Sequence, residues 1–446
     1  MLKQAGHEVS GSDHNVYPPM SDYLAQEGID IRQGYSPTNL EPRPDLAIIG
    51  NVIRRDNPEA QAVEMLGIPF LSMPQAINQI FLPGKTSLVV AGTHGKTTTS
   101  SLLATLLDQC GQDPGFMIGG IVRRFGKNAR LGHGPFFVLE GDEYDTAFFD
   151  KGPKFLHYAP RHAIITSVEF DHADIYRDLD HVKDSFRRLV GLMPPDGSLV
   201  AHADDPVLAD VLREAPCPVA RYGFSPAADW RIEDVAVRGA GTSFSVIRSG
   251  QDLGRFTFSM PGRHNALNAV AVMALLHGIG IPPSVCGPHL ATFEGVRRRQ
   301  EVRGVVADVT VIDDFAHHPT AVKETLAALR EKYAGQRIVA VFEPRTNSSR
   351  RSVFQEQYAE VFGDSDLVWI REPVPIDSLA DGERFSAARL VTALCQRGAH
   401  ARLGRDTDEI LARLLPELRP GDVVAILSNG GFDNIHERLL AALRPA

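Results

Sequence analysis

Apolar residues along this chain fall into short continuous runs, and stretches of helical spacing lie between them. Runs of about four to eight apolar residues, bounded by polar or turn-forming residues, mark strands buried on both faces. They are read at residues 46–50, 68–72, 87–91, 136–139, 163–168, 338–342, 367–370 and 423–427, with 305–312 taken as one further strand. Helices are predicted over 57–66, 266–276 and 320–332. Another follows residue 95, where Leu102, Leu103, Leu106, Leu107 and Cys110 share a face and Gly111 ends it. Residues 242–247 and 254–260 alternate apolar and polar positions instead, which predicts a small antiparallel excursion. Strands and helices alternating in this way define the α/β class.

The chain opens with what reads as the last turn of a helix at 2–6 and a short strand at 7–12 that closes on Asp13. A strand ending in an acid is the second strand of a nucleotide-binding βαβ unit, whose glycine turn belongs about 20 residues earlier. Counting back from Asp13 runs off the chain, so that first strand and glycine turn are expected to be lacking. A strand with no earlier partner is the alternative. Leu82-Pro-Gly-Lys then punctuates the sequence, and a new run of strands and helices starts near residue 300. Three units follow: 1–84, 85–299 and 300–446.

Composition narrows the classes. A length of 446 residues exceeds one ordinary core, and 43% hydrophobic with 23% charged residues is ordinary globular usage. A net charge of −9 argues against a nucleic-acid partner, whose footprint is a basic face. Cys110, Cys217, Cys286 and Cys395 are scattered, which excludes a zinc knuckle or disulfide framework and fits a reducing compartment. No apolar run approaches the roughly 20 residues that span a bilayer, and the first residues lack the apolar stretch of a signal peptide. A cytoplasmic protein with no membrane partner is expected.

The strongest chemical signal is Gly92-Thr93-His94-Gly95-Lys96-Thr97-Thr98, set between a buried strand and a helix. In that context backbone N–H groups and the helix N-terminus meet phosphate, the lysine neutralises it and the threonine hydroxyl ligates Mg²⁺. Val90 stands where the longer form of this loop has glycine. Glu140 ends a strand on the same edge, where a metal ligand belongs, although acid clusters are commonly just solvated. His172 lies between Asp171 and Asp174 after another such strand and is a second metal candidate, against a purely structural histidine. Asn265 and Asn268 share one helix face at i, i+3; capping accounts for Asn265 but poorly for Asn268. Arg297, Arg298 and Arg299, with Asp313, Asp314, His317 and His318, flank the second boundary, where a ligand cleft competes with a solvated charge run.

Six blocks in this order resemble the Mur ligase family: Gly-Thr-His-Gly-Lys-Thr-Thr-Thr (92–99), Glu-Gly-Asp-Glu-Tyr-Asp (140–145), Glu-Phe-Asp-His-Ala-Asp (169–174), Pro-Gly-Arg-His-Asn-Ala-Leu-Asn (261–268), Arg-Arg-Gln (298–300) and Asp-Asp-Phe-Ala-His-His-Pro-Thr (313–320). The resemblance implies three domains: a truncated Rossmann-like N-terminal domain, a central P-loop ATPase domain and a Rossmann-like C-terminal domain. It implies an ATP- and Mg²⁺-dependent ligase that activates a carboxylate as an acyl-phosphate. Lys96 would stabilise growing charge, and Thr97, Glu140 and His172 would hold metal. Asn265, Asn268 and Asp314 would place the nucleotide, with Arg299 reaching phosphate across the domain gap.

The segments Gly-Ser-Asp-His-Asn-Val-Tyr-Pro-Pro-Met-Ser (11–21), Glu-Pro-Arg-Thr-Asn-Ser (343–348) and Ser-Asn-Gly-Gly-Phe (428–432) resemble members that add a recycled peptide. The implied substrates are UDP-N-acetylmuramate and the murein tripeptide L-alanyl-γ-D-glutamyl-meso-diaminopimelate, in peptidoglycan recycling. Ser12, Asp13, Arg345 and Asn429 are the candidate substrate contacts. The rivals are the L-alanine-adding ligase and, in another class, a nucleotide-binding regulator or bare ATPase without a sugar-nucleotide site.

Overall fold

The apolar run at Thr86–Ala91 forms an interior strand, the central strand of the site, in a ten-stranded sheet, and Leu88, Val89, Val90 and Ala91 have no exposed surface. It pairs in parallel with His162–Ile165 on one side and Phe136–Gly141 on the other. The carboxyl ends of all three therefore share one edge, where open parallel sheets bind ligands. The structure, a computed structural model, describes residues 1–14, 16, 20–239, 241–377 and 379–444.

Beyond His162–Ile165 the sheet continues in parallel through Ser198–His202, Val219–Gly223 and Trp230–Arg238. It ends in the antiparallel strands Gly241–Arg248 and Gln251–Phe258, the excursion that alternation predicts. Beyond Phe136–Gly141 lie Gly115–Val122, parallel to it, and Lys127–Arg130, antiparallel. Each face of the sheet carries its own apolar layer. The helices Lys96–Gln109 and Arg263–Gly278 pack on one face, through Leu102, Leu106, Val270 and Met273. Phe155, Phe186 and Leu189, the last two from Leu179–Gly191, fill the other.

The C-terminal unit is a six-stranded sheet in the order Glu301–Val306, Val309–Asp314, Val423–Leu427, Ile338–Phe342, Leu367–Arg371, Ala401–Gly404, parallel except for the first pair. That first pair corrects the single strand read at 305–312. Ala307 and Asp308 have φ of 50° and 59°, a two-residue hairpin turn built without glycine or asparagine. The apolar run passes straight through it, so composition hid the turn.

The N-terminal unit holds two separate parallel pairs, Ser10–Asp13 with Asp30–Gln33 and Ala47–Ile49 with Phe70–Ser72. Helix Pro58–Met65 is capped by Asn57 Oδ1, which accepts from Glu59 N at 2.9 Å and Ala60 N at 3.0 Å. Residues 2–6 form a single turn, closed by Ala5 N donating to Met1 O at 2.9 Å. Of the segment 11–21, Asn15 and residues 17–19 lie outside the described residues. Among the described residues no helix is long and apolar enough to cross a membrane.

Candidate active site

Four residues, Gly92 to Gly95, join the central strand to helix Lys96–Gln109. Gly92, at φ 129°, admits no side chain: a Cβ there would lie 2.1 Å from Thr166 Oγ1 and 2.9 Å from Ser167 N. Gly95, at φ 78°, sits against Asn268, whose Oδ1 would be 2.9 Å from an added Cβ. Thr93 ties the loop to the segment after His162–Ile165: its hydroxyl accepts from Glu169 N at 2.9 Å. His94 N donates to Ser167 Oγ at 3.1 Å. Thr97 and Thr98 are buried in the first helical turn.

Two clusters grow from this loop. Lys96 Nζ donates to Gly92 O at 2.6 Å and to Glu143 Oε2 at 2.8 Å. Glu143 Oε1 lies 3.3 Å from His172 Nε2. Burial is the largest single influence and would lower the lysine's pKa, but the charges of Glu143, Asp142 and Glu140 and the Glu143 hydrogen bond together outweigh it and the value rises. Burial likewise pushes Glu143 up, and Lys96 with His172 hold it down. Burial opposes charge on His172 too, yet the Glu143 hydrogen bond and the charges of Asp171 and Glu143 raise it to about 9. The triad is thus a cation–anion–cation set built around a buried Glu143.

In the second cluster Thr97 Oγ1 donates to Glu140 Oε1 at 2.8 Å and accepts from Arg299 Nη2 at 3.1 Å. Glu140 Oε2 accepts from Gly119 N at 2.7 Å. Arg299, at the junction of the central and C-terminal units, also lies over the Phe315 ring, 4.7 Å from its centroid. The expected metal residues are therefore divided: Thr97 and Glu140 bond each other, while the partner of His172 is Glu143.

A cavity of about 620 Å³ opens between the loop and the C-terminal unit, lined by Gly95, Asn268, Arg299, Asp314 and Thr320 among others. Asn268 Nδ2 donates to Asn265 Oδ1 at 3.3 Å, and Asn265 Nδ2 to Pro261 O at 2.7 Å. Gly262, not Asn265, occupies the helix N-cap, which corrects the capping reading. Burial raises Asp314, partly offset by the Arg299 charge and by N–H groups of Gln300 (2.7 Å) and Ala316 (2.8 Å).

The substrate candidates lie elsewhere. Ser12 Oγ donates to Glu59 Oε1 at 2.7 Å, and Asp13 accepts from the Tyr35 hydroxyl at 3.3 Å. Arg345 follows strand Ile338–Phe342 and is exposed, with its guanidinium against Gly430. Asn429 follows Val423–Leu427, and its Oδ1 is buried without a hydrogen-bond partner. Arg298 Nη2 holds that loop by donating to Ser428 O at 2.7 Å and Gly430 O at 2.6 Å.

The sequence assigns no role to three of these residues. Glu143 is the third acid of the 140–145 block, three residues past Glu140; Glu169 opens the next block; Arg298 sits beside Arg299. Glu169 Oε2 accepts from Thr320 Oγ1 at 2.7 Å, and Asn347 Nδ2 donates to Asp174 Oδ2 at 2.8 Å, so the loop after His162–Ile165 bonds directly to the C-terminal unit.

A phosphate loop on a parallel sheet, facing a second α/β sheet across a cleft that Asn268, Arg299 and Asp314 line, defines an ATP-dependent ligase of three α/β units. The chain belongs to the Mur ligase family: residues 1–83 match the Mur ligase family catalytic domain, 90–276 the Mur ligase middle domain and 297–430 the Mur ligase glutamate ligase domain. It is 40% identical over 444 residues to the UDP-N-acetylmuramate–L-alanyl-γ-D-glutamyl-meso-2,6-diaminoheptandioate ligase of Escherichia coli K12, covering 99% of this chain and 94% of that one. A UDP-N-acetylmuramate–L-alanine ligase of Anaeromyxobacter dehalogenans 2CP-C is 36% identical over 453 residues, with 99% and 94% covered. The crystal structure of a murein peptide ligase from Psychrobacter arcticus 273-4 superimposes with a TM-score of 0.75 at 34% identity, covering 100% of this chain and 95% of that one.

Proposed function

We propose that this chain uses ATP to join the carboxylate of UDP-N-acetylmuramate to the amine of L-alanyl-γ-D-glutamyl-meso-diaminopimelate, through an acyl-phosphate. Its likeness to the Escherichia coli ligase named for that reaction, at 40% identity over nearly the full length of both chains, carries the reading. Segments 343–348 and 428–432 favour the tripeptide over alanine as the incoming amine. Peptidoglycan recycling and a cytoplasmic setting belong to the same proposal.

The chain's own groups suit the chemistry. Lys96 keeps its proton, so a phosphate oxygen arriving at the loop exchanges with Glu143 for a permanent cation. Arg299 supplies a second cation from the junction of the two units, where it meets charge that grows as the muramate carboxylate attacks the γ-phosphate. Asn268 and Asp314 would hold the base and ribose in the cavity beside Gly95. The Thr97 hydroxyl and Glu140 carboxylate, oxygens 2.8 Å apart, fit a hard cation such as Mg²⁺. Glycines 119 and 120 keep that pair clear, since a Cβ on them would lie 3.1 Å from the Glu140 oxygens and 2.9 Å from Thr97 Cγ2. When bound, Mg²⁺ supplies charge neutralisation on the phosphoryl oxygens. His172 would join the ligands only by giving up the proton it shares with Glu143.

Purified protein incubated with ATP, Mg²⁺, UDP-N-acetylmuramate and either tripeptide or L-alanine tests this. The tripeptide is expected to give the UDP-linked conjugate with stoichiometric ADP. Conjugate from alanine alone would move the chain to the alanine-adding branch. ADP release indifferent to the amine would indicate a bare ATPase.

A further inference from the structure

His94, Glu169 and His318 bring one donor atom each within 4.8 Å of one another, and they come from three separate places in the fold. His94 belongs to the phosphate loop, Glu169 to the segment after His162–Ile165, and His318 to the N-cap of helix Pro319–Lys332 in the C-terminal unit. His94 Nε2 is buried without a hydrogen-bond partner and lies 3.5 Å from Glu169 Oε2. His318 Nδ1 lies 3.8 Å from the same oxygen.

These separations are close to those of a filled site. Bonds of about 2.0–2.2 Å in a tetrahedral zinc centre put neighbouring donors about 3.4 Å apart, so the two distances to Glu169 need to change by only a few tenths of an ångström, and the two imidazole nitrogens, within 4.8 Å of each other, close the rest by ring rotation. The outer partners are also of the kind that orient metal ligands. His318 Nε2 lies 3.2 Å from Phe170 O, which fixes the tautomer with Nδ1 free of hydrogen. Thr320 Oγ1 holds Glu169 Oε2 at 2.7 Å. Ligation through Nδ1 gives up one long bond, from Thr320 N at 3.2 Å. Two of the three donors, His94 and Glu169, line the cavity, together with Thr320.

We propose that His94, Glu169 and His318 form a second cation site, for a nitrogen-preferring divalent ion of the zinc class, distinct from the oxygen pair Thr97 and Glu140. Two imidazoles and one carboxylate select such ions over Mg²⁺, which prefers oxygen. An ion there ties the phosphate loop to the first turn of a C-terminal helix. It pins the two units together, narrows the cavity mouth beside Gly95 and inhibits turnover in a way that added Mg²⁺ does not relieve.

Co²⁺ titrated into the full-length protein in excess Mg²⁺ tests this by absorbance, because a four-coordinate nitrogen-containing site gives intense visible bands and an oxygen site does not. One ion per chain is expected, with binding weakened by more than about tenfold in His94→Gln and in His318→Gln, a loss that even an outer partner of a ligand can cause. Should His318→Gln fold poorly, His94→Gln decides the question, since its ring is in a loop. Zn²⁺ should also raise the melting temperature of the unaltered protein and not of His94→Gln. Loss of the Co²⁺ bands on adding Mg²⁺, or unchanged affinity in His94→Gln, would overturn the site.

Discussion

Two sets of cations, one at the phosphate loop and one in the C-terminal loops, are held in opposite ways. At the phosphate loop Lys96 is 14% exposed and engages Glu143 and loop carbonyls, and Arg299 engages Thr97. In the C-terminal loops Arg345 is exposed and makes no hydrogen bond or ion pair among the described residues, while Asn429 Oδ1 and the Nε atoms of Arg350 and Arg351 lack partners. In the first set Lys96 is neutralised by Glu143 before any substrate arrives, which offsets the cost of burying its charge, and Arg299 is held by a hydroxyl. The second keeps its arginine in water and leaves buried polar atoms unsatisfied, which suits a ligand that brings carboxylates and amides of its own. Under the proposed function, one site would exchange an internal partner for phosphate and the other would gain partners it did not have.

Removing the buried lysine tests the first half of that contrast and should have the largest effect. Lys96→Ala is expected to lower ligation by roughly 10²-fold or more, since its charge acts on oxygens that become more negative in the transition state. Glu143, 2% exposed, then keeps His172 as its cation, so the chain should still fold but melt lower. Near-normal turnover by a folded variant would remove Lys96 from the reaction.

Arg345→Ala tests the other half. Losing a charged contact to a peptide carboxylate should weaken tripeptide use by about 1.5–3 kcal/mol, read as kcat/KM, with the KM for ATP unchanged. A matching loss in ATP affinity would mean that the two sets of cations are not independent.

A smaller effect separates neutralised from solvated charge through pH. His172 has its folded pKa raised, to about 9, above an unfolded value near 6.5. Its contribution is therefore fully present below pH 6.5 and lost as pH rises through 9. In chelator, the melting temperature should fall across that window by a few degrees, and His172→Gln should flatten the fall. An unchanged slope in His172→Gln would show that its proton is not held by Glu143.

What could be read from sequence follows the same division. The phosphate loop is contiguous, and its strand, glycines and helix all lie within residues 86–109, so local pattern suffices. Its partners are distant: Glu143 stands 47 positions from Lys96, and Arg299 stands 202 from Thr97. Glu143 was one acid among several in its block, and only the adjacency of two strand ends brings it to the lysine. Strand Gly115–Val122 escaped notice because its three glycines break the apolar run. The hairpin at Ala307 and Asp308 escaped because nothing there looks like a turn. His94, Glu169 and His318 meet only once the C-terminal sheet is docked, a relation that no spacing along the chain contains.

The smallest expected effect comes from Gly430, which decides whether Arg345 works from the pose seen here. A Cβ on Gly430 would lie 2.3 Å from Arg345 Nη1, 2.4 Å from Cδ and 2.5 Å from Cζ. The obstruction is a flexible, exposed side chain, so Gly430→Ala should fold normally and turn the guanidinium to another rotamer. The peptide backbone stays put, because Arg298 still donates to the carbonyls of Ser428 and Gly430. A displaced but solvated cation loses its aim rather than its charge, so the loss should stay below the roughly 1.5–3 kcal/mol of a removed charged contact. The tripeptide KM should therefore rise by less than about tenfold, with kcat and the KM for ATP unchanged. A loss as large as that of Arg345→Ala would mean that this one pose makes the whole contact. No change at all would mean that the arginine reaches the peptide from a rotamer it adopts only when the substrate is present.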